Sequence, residues 1–218
     1  MGKNMDIIFI LNKLKDKRKI FNSESDFQFS LAWEIKEFYK NADIRLEYCY
    51  DFRKNIRIDI VVKLDTKIYP IELKYKTKLY RKYFGDEWYY LKNHGAQDLG
   101  RYDYLKDIQR MELFSNEIHN FEKGFTIILT NDNSYWKKNK KGTVDEQFYL
   151  NENIIKTGLL KWGEHSSEGT KKNREKPIEL NGKYKINWND YSVINDNSGG
   201  IFKYCLCIVE KIKNVGKK

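Results

Sequence analysis

The sequence predicts an α/β fold in which a mixed β-sheet is flanked by helices. Three observations carry this prediction. Residues 44–75 hold three consecutive strand-like stretches, residues 96–113 return to helical periodicity, and residues 124–130 form a short apolar run. Three successive strands can pair as an antiparallel meander, and a strand that follows a helix can return parallel to them through a crossover. Further strand candidates lie at 148–150, 159–162 and 201–209.

The charge balance favours a polyanionic partner. The 218 residues include 41 Lys and Arg against 31 Asp and Glu, which gives a formal net charge of +10. Sixteen Tyr and five Trp add surface on which bases can stack, and this favours nucleic acid over an acidic membrane. AT-rich coding produces the same enrichment in Lys, Asn, Ile and Tyr, so composition alone leaves the partner open.

Two helices are expected before the strands. Residues 5–19 predict a short amphipathic helix and residues 25–40 a stronger one. Either Ser23 or Ser25 can cap the second helix, and Ser25 with Gln28 fits a capping box. The apolar residues of the second helix share one face; they are Phe27, Leu31, Ile35 and Phe38.

Cysteine usage and the N-terminus bear on the compartment. Cys49, Cys205 and Cys207 show no paired framework and no metal-binding spacing, which predicts a reducing, cytoplasmic setting. The apolar stretch 7–11 is too short for a signal peptide, and no segment approaches membrane-spanning length. A membrane is therefore not expected as a partner. With two prolines and no flexible linker, residues 1–218 are predicted to form one domain.

The register of the second and third strands brings two carboxylates together. Side chains alternate along a strand, so Glu72 and Lys74 share one face of the stretch 67–75. If Asp65 and Thr66 form a two-residue loop, residue 64 pairs with residue 67 and Asp59 stands opposite Glu72. Directly opposite Cβ atoms lie about 5 Å apart. Because Asp-Thr is not the strongest hairpin turn, a one-residue bulge is the alternative.

This pair and its neighbouring lysine suit metal-dependent hydrolysis. Two adjacent carboxylates raise each other's pKa unless a cation lies between them. A hard cation such as Mg²⁺ takes carboxylate oxygens and leaves positions for water and phosphate. Lys74 can neutralise charge that develops on the phosphate. The competing interpretation is an exposed hairpin face with scattered charges, because Asp followed by Glu-x-Lys is a common pattern.

Five segments together resemble a known family. SESDFQ, RIDIVV, IELKYKT, GAQDLGRYDYLKDIQR and GFTIILT span roughly residues 23–130 and are similar to the PD-(D/E)XK nuclease superfamily, with its restriction-endonuclease-like fold. The resemblance implies Asp59 and Glu72 as metal ligands, Lys74 as the catalytic lysine, and Mg²⁺ as cofactor with Mn²⁺ as a substitute. Ile58 stands where the family carries a proline. The catalytic core would cover about 20–135, followed by a β-rich extension of about 136–218.

The family often supplies a further carboxylate from the first helix. SExDxQ at the helix start is similar to the pattern of related nucleases, which implies Glu24 as a third metal ligand with Gln28 beside it in the site. Glu34, in the middle of the helix, and Glu47, in the first strand, are the competing positions. A simpler role for Glu24 is to complement the helix dipole.

Basic and aromatic residues alternate in the segment 76–95, which shows no clear period. Basic side chains grip phosphates and aromatic ones stack on bases, so the segment is a candidate substrate-gripping loop. Its alternative role is to pack its aromatic residues on the core. The basic candidates are Lys76, Lys78, Arg81 and Lys82.

The helix at 96–113 carries a second candidate contact. Gln97, Arg101 and Tyr104 form a row that could face the scissile phosphate. The other charged residues of this helix, Asp107 and Arg110 among them, are expected to form ion pairs on a solvated face.

These observations predict a Mg²⁺-dependent DNA endonuclease. A double-strand cut needs two sites, which would make a homodimer the functional unit. The alternatives are a catalytically silent nucleic-acid-binding module of the same fold, and an RNase or structure-specific resolvase using the same site. The three histidines lack zinc-ligand spacing and no phosphate-binding GxxxxGK[ST] occurs, so zinc and nucleotide hydrolysis are disfavoured.

Overall fold

The computed structural model describes residues 4–49, 56–195 and 199–211. Four α-helices and one 3₁₀ helix occur in these parts of the chain: α1 Ile7–Lys17, α2 Glu24–Phe38, α3 Gln97–Glu117, α4 Glu168–Lys171 and the 3₁₀ helix Glu146–Phe148. Ten strands accompany them: β1 Asp43–Cys49, β2 Arg57–Leu64, β3 Lys67–Lys76, β4 Tyr80–Phe84, β5 Glu87–Leu91, β6 Lys123–Thr130, β7 Ile155–Leu160, β8 Ile178–Lys185, β9 Trp188–Val193 and β10 Ile201–Glu210. Within the described ranges, no helix combines the length and apolar character needed to cross a membrane.

Six strands form one mixed sheet in the order β1-β2-β3-β6-β10-β9. The first three strands are an antiparallel meander. β6 then lies parallel to β3, because α3 carries the chain back across the sheet. β10 pairs antiparallel with both β6 and β9. The predicted α/β class, with its meander, its parallel strand and its additional C-terminal strands, is confirmed.

Alternating side chains give the sheet two apolar faces. On one face, Ile71 and Leu73 of β3 pack with α1 and α2. On the other face, Ile128 of β6 and Cys205 of β10 pack with α3 and the β7–β8 hairpin. The sheet therefore lies between two hydrophobic cores, and a polar side chain on β3 must face one of them or the edge of the sheet.

The last two strands, β9 and β10, belong to the main sheet, whereas β7 and β8 form a separate hairpin. β10 pairs with β6 over the whole of Lys123–Thr130, so the predicted extension of about 136–218 supplies two strands of the central layer. The candidate strand at 201–209 is confirmed. The candidate at 148–150 is wrong, because Phe148 ends the 3₁₀ helix and no strand follows directly. The candidate at 159–162 is confirmed only as far as Leu160.

The start of α2 places its first turn near the sheet. Ser23 is the cap, and its side-chain oxygen accepts the N–H of Asp26 at 3.1 Å. The capping box between Ser25 and Gln28 does not form, which leaves the Gln28 amide available for other partners. Glu24 then occupies the first position of the helix, beside β3.

Candidate active site

The predicted register of the β2–β3 hairpin is confirmed from the turn to the pair of Ile60 with Ile71, but the predicted pair of Asp59 with Glu72 is not part of the observed ladder. Leu64 pairs with Lys67, so Asp65 and Thr66 form the two-residue turn, with Asp65 in the left-handed region at φ 55°. The paired residues continue to Ile60 opposite Ile71. Asp59 is the next residue of β2 beyond this pair, on the side away from the turn, and β2 and β3 separate there.

Two carboxylates fill the gap that opens between the strands. The N–H of Leu73 is donated to Asp59 Oδ2 at 2.6 Å, and the N–H of Tyr75 to Glu24 Oε2 at 2.6 Å. Alternate residues of a strand direct their N–H groups to the same side, so both donors face the place that β2 would occupy if it stayed paired with β3. Asp59 and Glu24 replace backbone acceptors there, and they lie next to each other along β3.

Gln28 fixes Asp59 from the helix side. Its Nε2 donates to the Asp59 carbonyl oxygen at 2.7 Å and to Glu47 Oε1 at 2.8 Å. The structure therefore brings Glu24 and Gln28 of α2 to Asp59. Glu34, the competing helix position, instead lies 2.6 Å from Lys17 of α1. Glu47 contacts Gln28, which connects it to Asp59.

Glu72 and Lys74 face α3 and enter an ion network. Glu72 Oε1 lies 2.6 Å from Arg110 Nη2, and Lys74 Nζ lies 2.7 Å from Asp107 Oδ2. Arg110 Nη2 is also 2.9 Å from Asp107 Oδ1, which closes the chain Glu72–Arg110–Asp107–Lys74. The Glu72 and Asp107 side chains are only 1% and 5% exposed, so water screens these contacts weakly.

The sequence did not predict the role of Asp107 and Arg110. Both were expected on a solvated face, and the structure corrects this: Asp107 is buried, and Arg110 holds Glu72. One signal was present. Asp107 lies three residues after Tyr104 and four before Met111, and helical periodicity puts all three on one face. Since Tyr104 and Met111 are core residues, Asp107 is carried inward with them.

Burial and neighbouring charges set unusual protonation equilibria. Burial raises the pKa of Asp59 to about 6, against the opposing effects of Lys74 and the Leu73 N–H. Burial, with the charge of Asp107, also raises the pKa of Glu72 well above its usual range. Burial alone would lower the pKa of Lys74, but Asp107 outweighs it and holds this pKa above its ordinary value. At neutral pH, Lys74 is therefore a cation and Asp59 is close to its titration range.

The charge balance of the site suits an additional cation. Among the described residues, the three carboxylates of Asp59, Glu72 and Asp107 lie with the two cations of Lys74 and Arg110, and Glu24 adds a further carboxylate beside Asp59. Clustered carboxylate oxygens are the donor set that a hard divalent cation prefers. In the described part of the chain, no group of three or more His, Cys, Asp and Glu side chains is arranged as a metal-binding group. Glu72 and Asp107 are directed towards Arg110 and Lys74 instead.

The predicted nucleic-acid contacts divide into two sets. Lys76, Lys78, Arg81 and Lys82 are partly or fully exposed, and the Lys78 ammonium lies 3.2 Å from Asp132. Arg101 is 6% exposed, with Nη1 2.8 Å from Asp145 Oδ2.

The prediction that the Gln97–Arg101–Tyr104 row faces a phosphate is wrong for its last two members. Tyr104 is fully buried, and its hydroxyl donates to the Thr126 carbonyl oxygen at 3.3 Å. Arg101 is enclosed by the segment after β6, whereas Tyr104 packs against β6 and β10 of the main sheet. Gln97 is partly exposed and donates to Asp132 Oδ2 at 2.9 Å.

We expect Asp107→Asn to destabilise the fold by about 2 kcal/mol, because the partly buried Lys74 ammonium and Arg110 guanidinium lose a charged acceptor that is itself buried. Asp103→Asn is the matched control, since Asp103 lies one turn earlier in α3 and pairs with Arg174 where both side chains are more than a quarter exposed. That change is expected to cost less than about 1 kcal/mol. Urea denaturation of wild type, Asp107→Asn and Asp103→Asn at pH 7 measures both differences in the free energy of unfolding. Equal losses in the two variants would contradict a stabilising role for the ion network around Asp107.

Comparison with known proteins gives no relative: no family model matches the chain, and neither a curated protein nor a solved structure does. The function is therefore inferred from the side chains of the site.

Proposed function

We propose that this protein is a metal-dependent nuclease of the PD-(D/E)XK type that hydrolyses phosphodiester bonds, most simply as a DNA endonuclease. The observation that carries the proposal is the gap between β2 and β3. Asp59 and Glu24 lie in this gap, and Glu72 and Lys74 project from the same stretch of β3. The net charge of +10 supports a nucleic-acid partner.

Asp59, Glu72 and Glu24 are the residues that would hold Mg²⁺, or Mn²⁺ in its place. Their donor oxygens and their excess negative charge fit a hard cation. Such an ion, when bound, polarises the scissile phosphate and lowers the pKa of coordinated water. A cation beside Asp59 and Glu72 would also lower the two raised pKa values, since it stabilises the ionised carboxylates.

The protonation states assign different tasks to Asp59 and Lys74. Asp59 has a pKa of about 6 and is mostly ionised at pH 7, and a cation beside it would lower this pKa further, so its task is to hold the metal. Its Oδ2 accepts the Leu73 N–H, whereas Oδ1 accepts no hydrogen bond from any residue in the described ranges. Lys74 stays protonated, so it serves as a donor and a positive charge for the phosphate rather than as a base.

The Glu72–Arg110–Asp107–Lys74 network positions the two residues of β3. Asp107 keeps the Lys74 ammonium at a fixed place, and Arg110 does the same for the Glu72 carboxylate. Pairs that are largely shielded from water hold side-chain geometry because separating the partners leaves an uncompensated charge in a poorly solvated place. Asp107 and Arg110 are positioning residues in this proposal.

We also propose a reducing cytoplasm as the compartment and a homodimer as the functional unit. Cys205 and Cys207 are buried thiols that form no disulfide within the described ranges, which is consistent with a reducing cytoplasm. One site cuts one strand, so a double-strand cut would require a homodimer.

Cleavage assays test the proposal directly. We expect the wild-type chain to cut supercoiled plasmid, single-stranded DNA or RNA with Mg²⁺ and not with EDTA. Lys74→Ala is expected to lower the rate at least about 100-fold, because a positive charge at the developing phosphate anion is lost. Asp59→Ala should be equally inactive. Cleavage that persists in either variant would refute the site assignment, and the three substrates distinguish a DNase from an RNase.

A second candidate is a binding module of the same fold that does not cut. The contact between Arg110 and Glu72 favours it, because a resident guanidinium already occupies one carboxylate of the site. This candidate predicts salt-sensitive binding of nucleic acid with no cleavage of any substrate in Mg²⁺ or Mn²⁺. It also predicts that Lys74→Ala leaves the affinity almost unchanged.

A further inference from the structure

A two-stranded hairpin follows β3, in the segment for which the sequence showed no clear period. β4 and β5 pair antiparallel, with Tyr80 opposite Leu91 and Phe84 opposite Glu87. Directly opposite residues share a face, and faces alternate along each strand. Tyr80, Tyr89 and Leu91 are therefore on the inner face, where all three are buried.

The outer face of this hairpin carries one guanidinium and three aromatic rings: Arg81, Tyr83, Trp88 and Tyr90. Tyr83 is 67% exposed, Trp88 51% and Tyr90 48%. The rings of Tyr83 and Trp88 meet edge to face at 5.0 Å. The Arg81 guanidinium lies 4.6 Å from the Tyr90 ring centre and donates to its hydroxyl at 2.8 Å. We name these four side chains the aromatic platform.

The aromatic platform is fixed to the end of β3. Thr77 N–H donates to His94 Nδ1 at 2.9 Å, and His94 N–H donates to the Thr77 carbonyl oxygen at 2.7 Å, which closes the base of the hairpin. Asn22, just before α2, contacts Glu87 on the inner face at 3.3 Å. Held at both ends, the platform has its geometry before any ligand arrives, and this lowers the entropy cost of binding.

The base of the hairpin adjoins the candidate active site. Tyr75 of β3 donates its N–H to Glu24, and Thr77, the next residue on that side of the strand, belongs to the hairpin base. A strand that follows the aromatic platform could therefore continue towards Asp59. The basic residues near it in sequence are Lys76, Lys78, Lys82 and Lys92, of which Lys82 is paired with Tyr89 and so belongs to the other face of the hairpin.

We infer that the aromatic platform stacks on the unpaired bases of a single-stranded segment, so that the substrate class is nucleic acid with unpaired nucleotides beside the cut. Bases offer their flat faces to a protein only when they are unstacked, whereas a duplex hides them. Arg81 and the neighbouring lysines complement the phosphates. This inference rests on the proposed nuclease function for the cut itself, but the binding part stands on the hairpin alone.

Binding measured in EDTA tests the platform without cleavage. Fluorescence anisotropy with a labelled single-stranded oligonucleotide and with its duplex is compared for wild type, Trp88→Ala and Trp88→Phe. Trp88→Ala is expected to weaken single-strand binding about tenfold and to leave duplex binding unchanged. Trp88→Phe keeps an aromatic face and should retain most of the affinity. Trp33→Ala is the matched control, because Trp33 is 71% exposed on α2 and is expected to leave both affinities unchanged.

The outcomes separate this inference from the proposed function. No single-strand binding, an unchanged single-strand affinity in Trp88→Ala, or an equal loss on duplex overturns the platform, including the case in which its true partner is a protein. If Asp59-dependent cleavage is nevertheless observed, only the platform is wrong. A selective loss in Trp88→Ala supports the platform even if the chain cuts no substrate, in which case the nuclease function alone is refuted.

Discussion

Asp59→Asn is expected to stabilise the folded chain at pH 7 by about 2 to 3 kcal/mol while it abolishes cleavage. The physical reason is that burial raises the pKa of Asp59 to about 6, so the folded state holds the ionised carboxylate at a cost. Asparagine is neutral and keeps an oxygen that can accept the Leu73 N–H. Residues of functional sites often reduce the stability of the folded protein, because activity requires them to be charged or strained there.

The stability difference between Asp59→Asn and wild type should depend on pH. Below about pH 3, Asp59 is protonated in both folded and unfolded chains, so wild type and variant are equally stable. Between about pH 4 and 6 the unfolded chain releases the proton and the folded chain retains it, so the wild type loses stability relative to the variant as pH rises. Thermal unfolding should show the melting temperature of the variant higher by about 4 to 10 °C at pH 7, with almost no difference at about pH 3.

Asp65→Asn is the matched control for this experiment. Asp65 lies in the exposed turn of the same hairpin, and asparagine tolerates its positive φ, so stability should change by less than about 0.5 kcal/mol at either pH. Adding Mg²⁺ should raise the melting temperature of the wild type more than that of Asp59→Asn, because a ligand stabilises the state that binds it. If Asp59→Asn is less stable than wild type at pH 7, the Asp59 carboxylate stabilises the folded chain. That result would contradict a folded-state pKa of about 6 for Asp59.

The parts of the site that follow from short-range rules could be predicted. The alternation of side chains is a local property of a strand, and the Asp65-Thr66 turn fixes the register, so the pairing of Leu64 with Lys67 follows from the sequence alone. The position of Asp59 beside the Glu72 stretch of β3 follows from the same rules. Each of these relations connects residues close together in the sequence.

The missing parts depend on how distant elements dock. The separation of β2 from β3 beyond Ile60 is not encoded in either strand's periodicity, and neither is the approach of Arg110 to Glu72 across the sheet. The β4–β5 hairpin was missed for another reason. Tyr occurs on both of its faces, which hides the alternation, although Gly85-Asp86 between two aromatic runs is a recognised hairpin signal.

Arg101→Met is the other change with a large expected effect. It tests whether Arg101 stabilises the interior of the protein or contacts nucleic acid. Arg101 was predicted to contact nucleic acid, but its guanidinium donates to Asp145 at 2.8 Å and to the Ser134 carbonyl oxygen at 2.9 Å in the interior. Removing it leaves the Asp145 carboxylate, only 10% exposed, without its cation. Breaking a buried pair in this way costs about 3 to 5 kcal/mol. We expect this loss in urea denaturation.

Arg174→Met provides the comparison at the surface. Arg174 pairs with Asp103 at 2.6 Å, but both side chains are more than a quarter exposed, so its loss should cost less than about 1 kcal/mol. The double change Arg101→Met with Asp145→Leu should recover much of the stability, because an unpaired buried charge is more costly than an apolar pair of similar volume. Nucleic-acid affinity of the folded variants should stay at the wild-type value, since Arg101 is enclosed. A stable Arg101→Met chain with weakened binding would instead restore the phosphate contact that the sequence suggested.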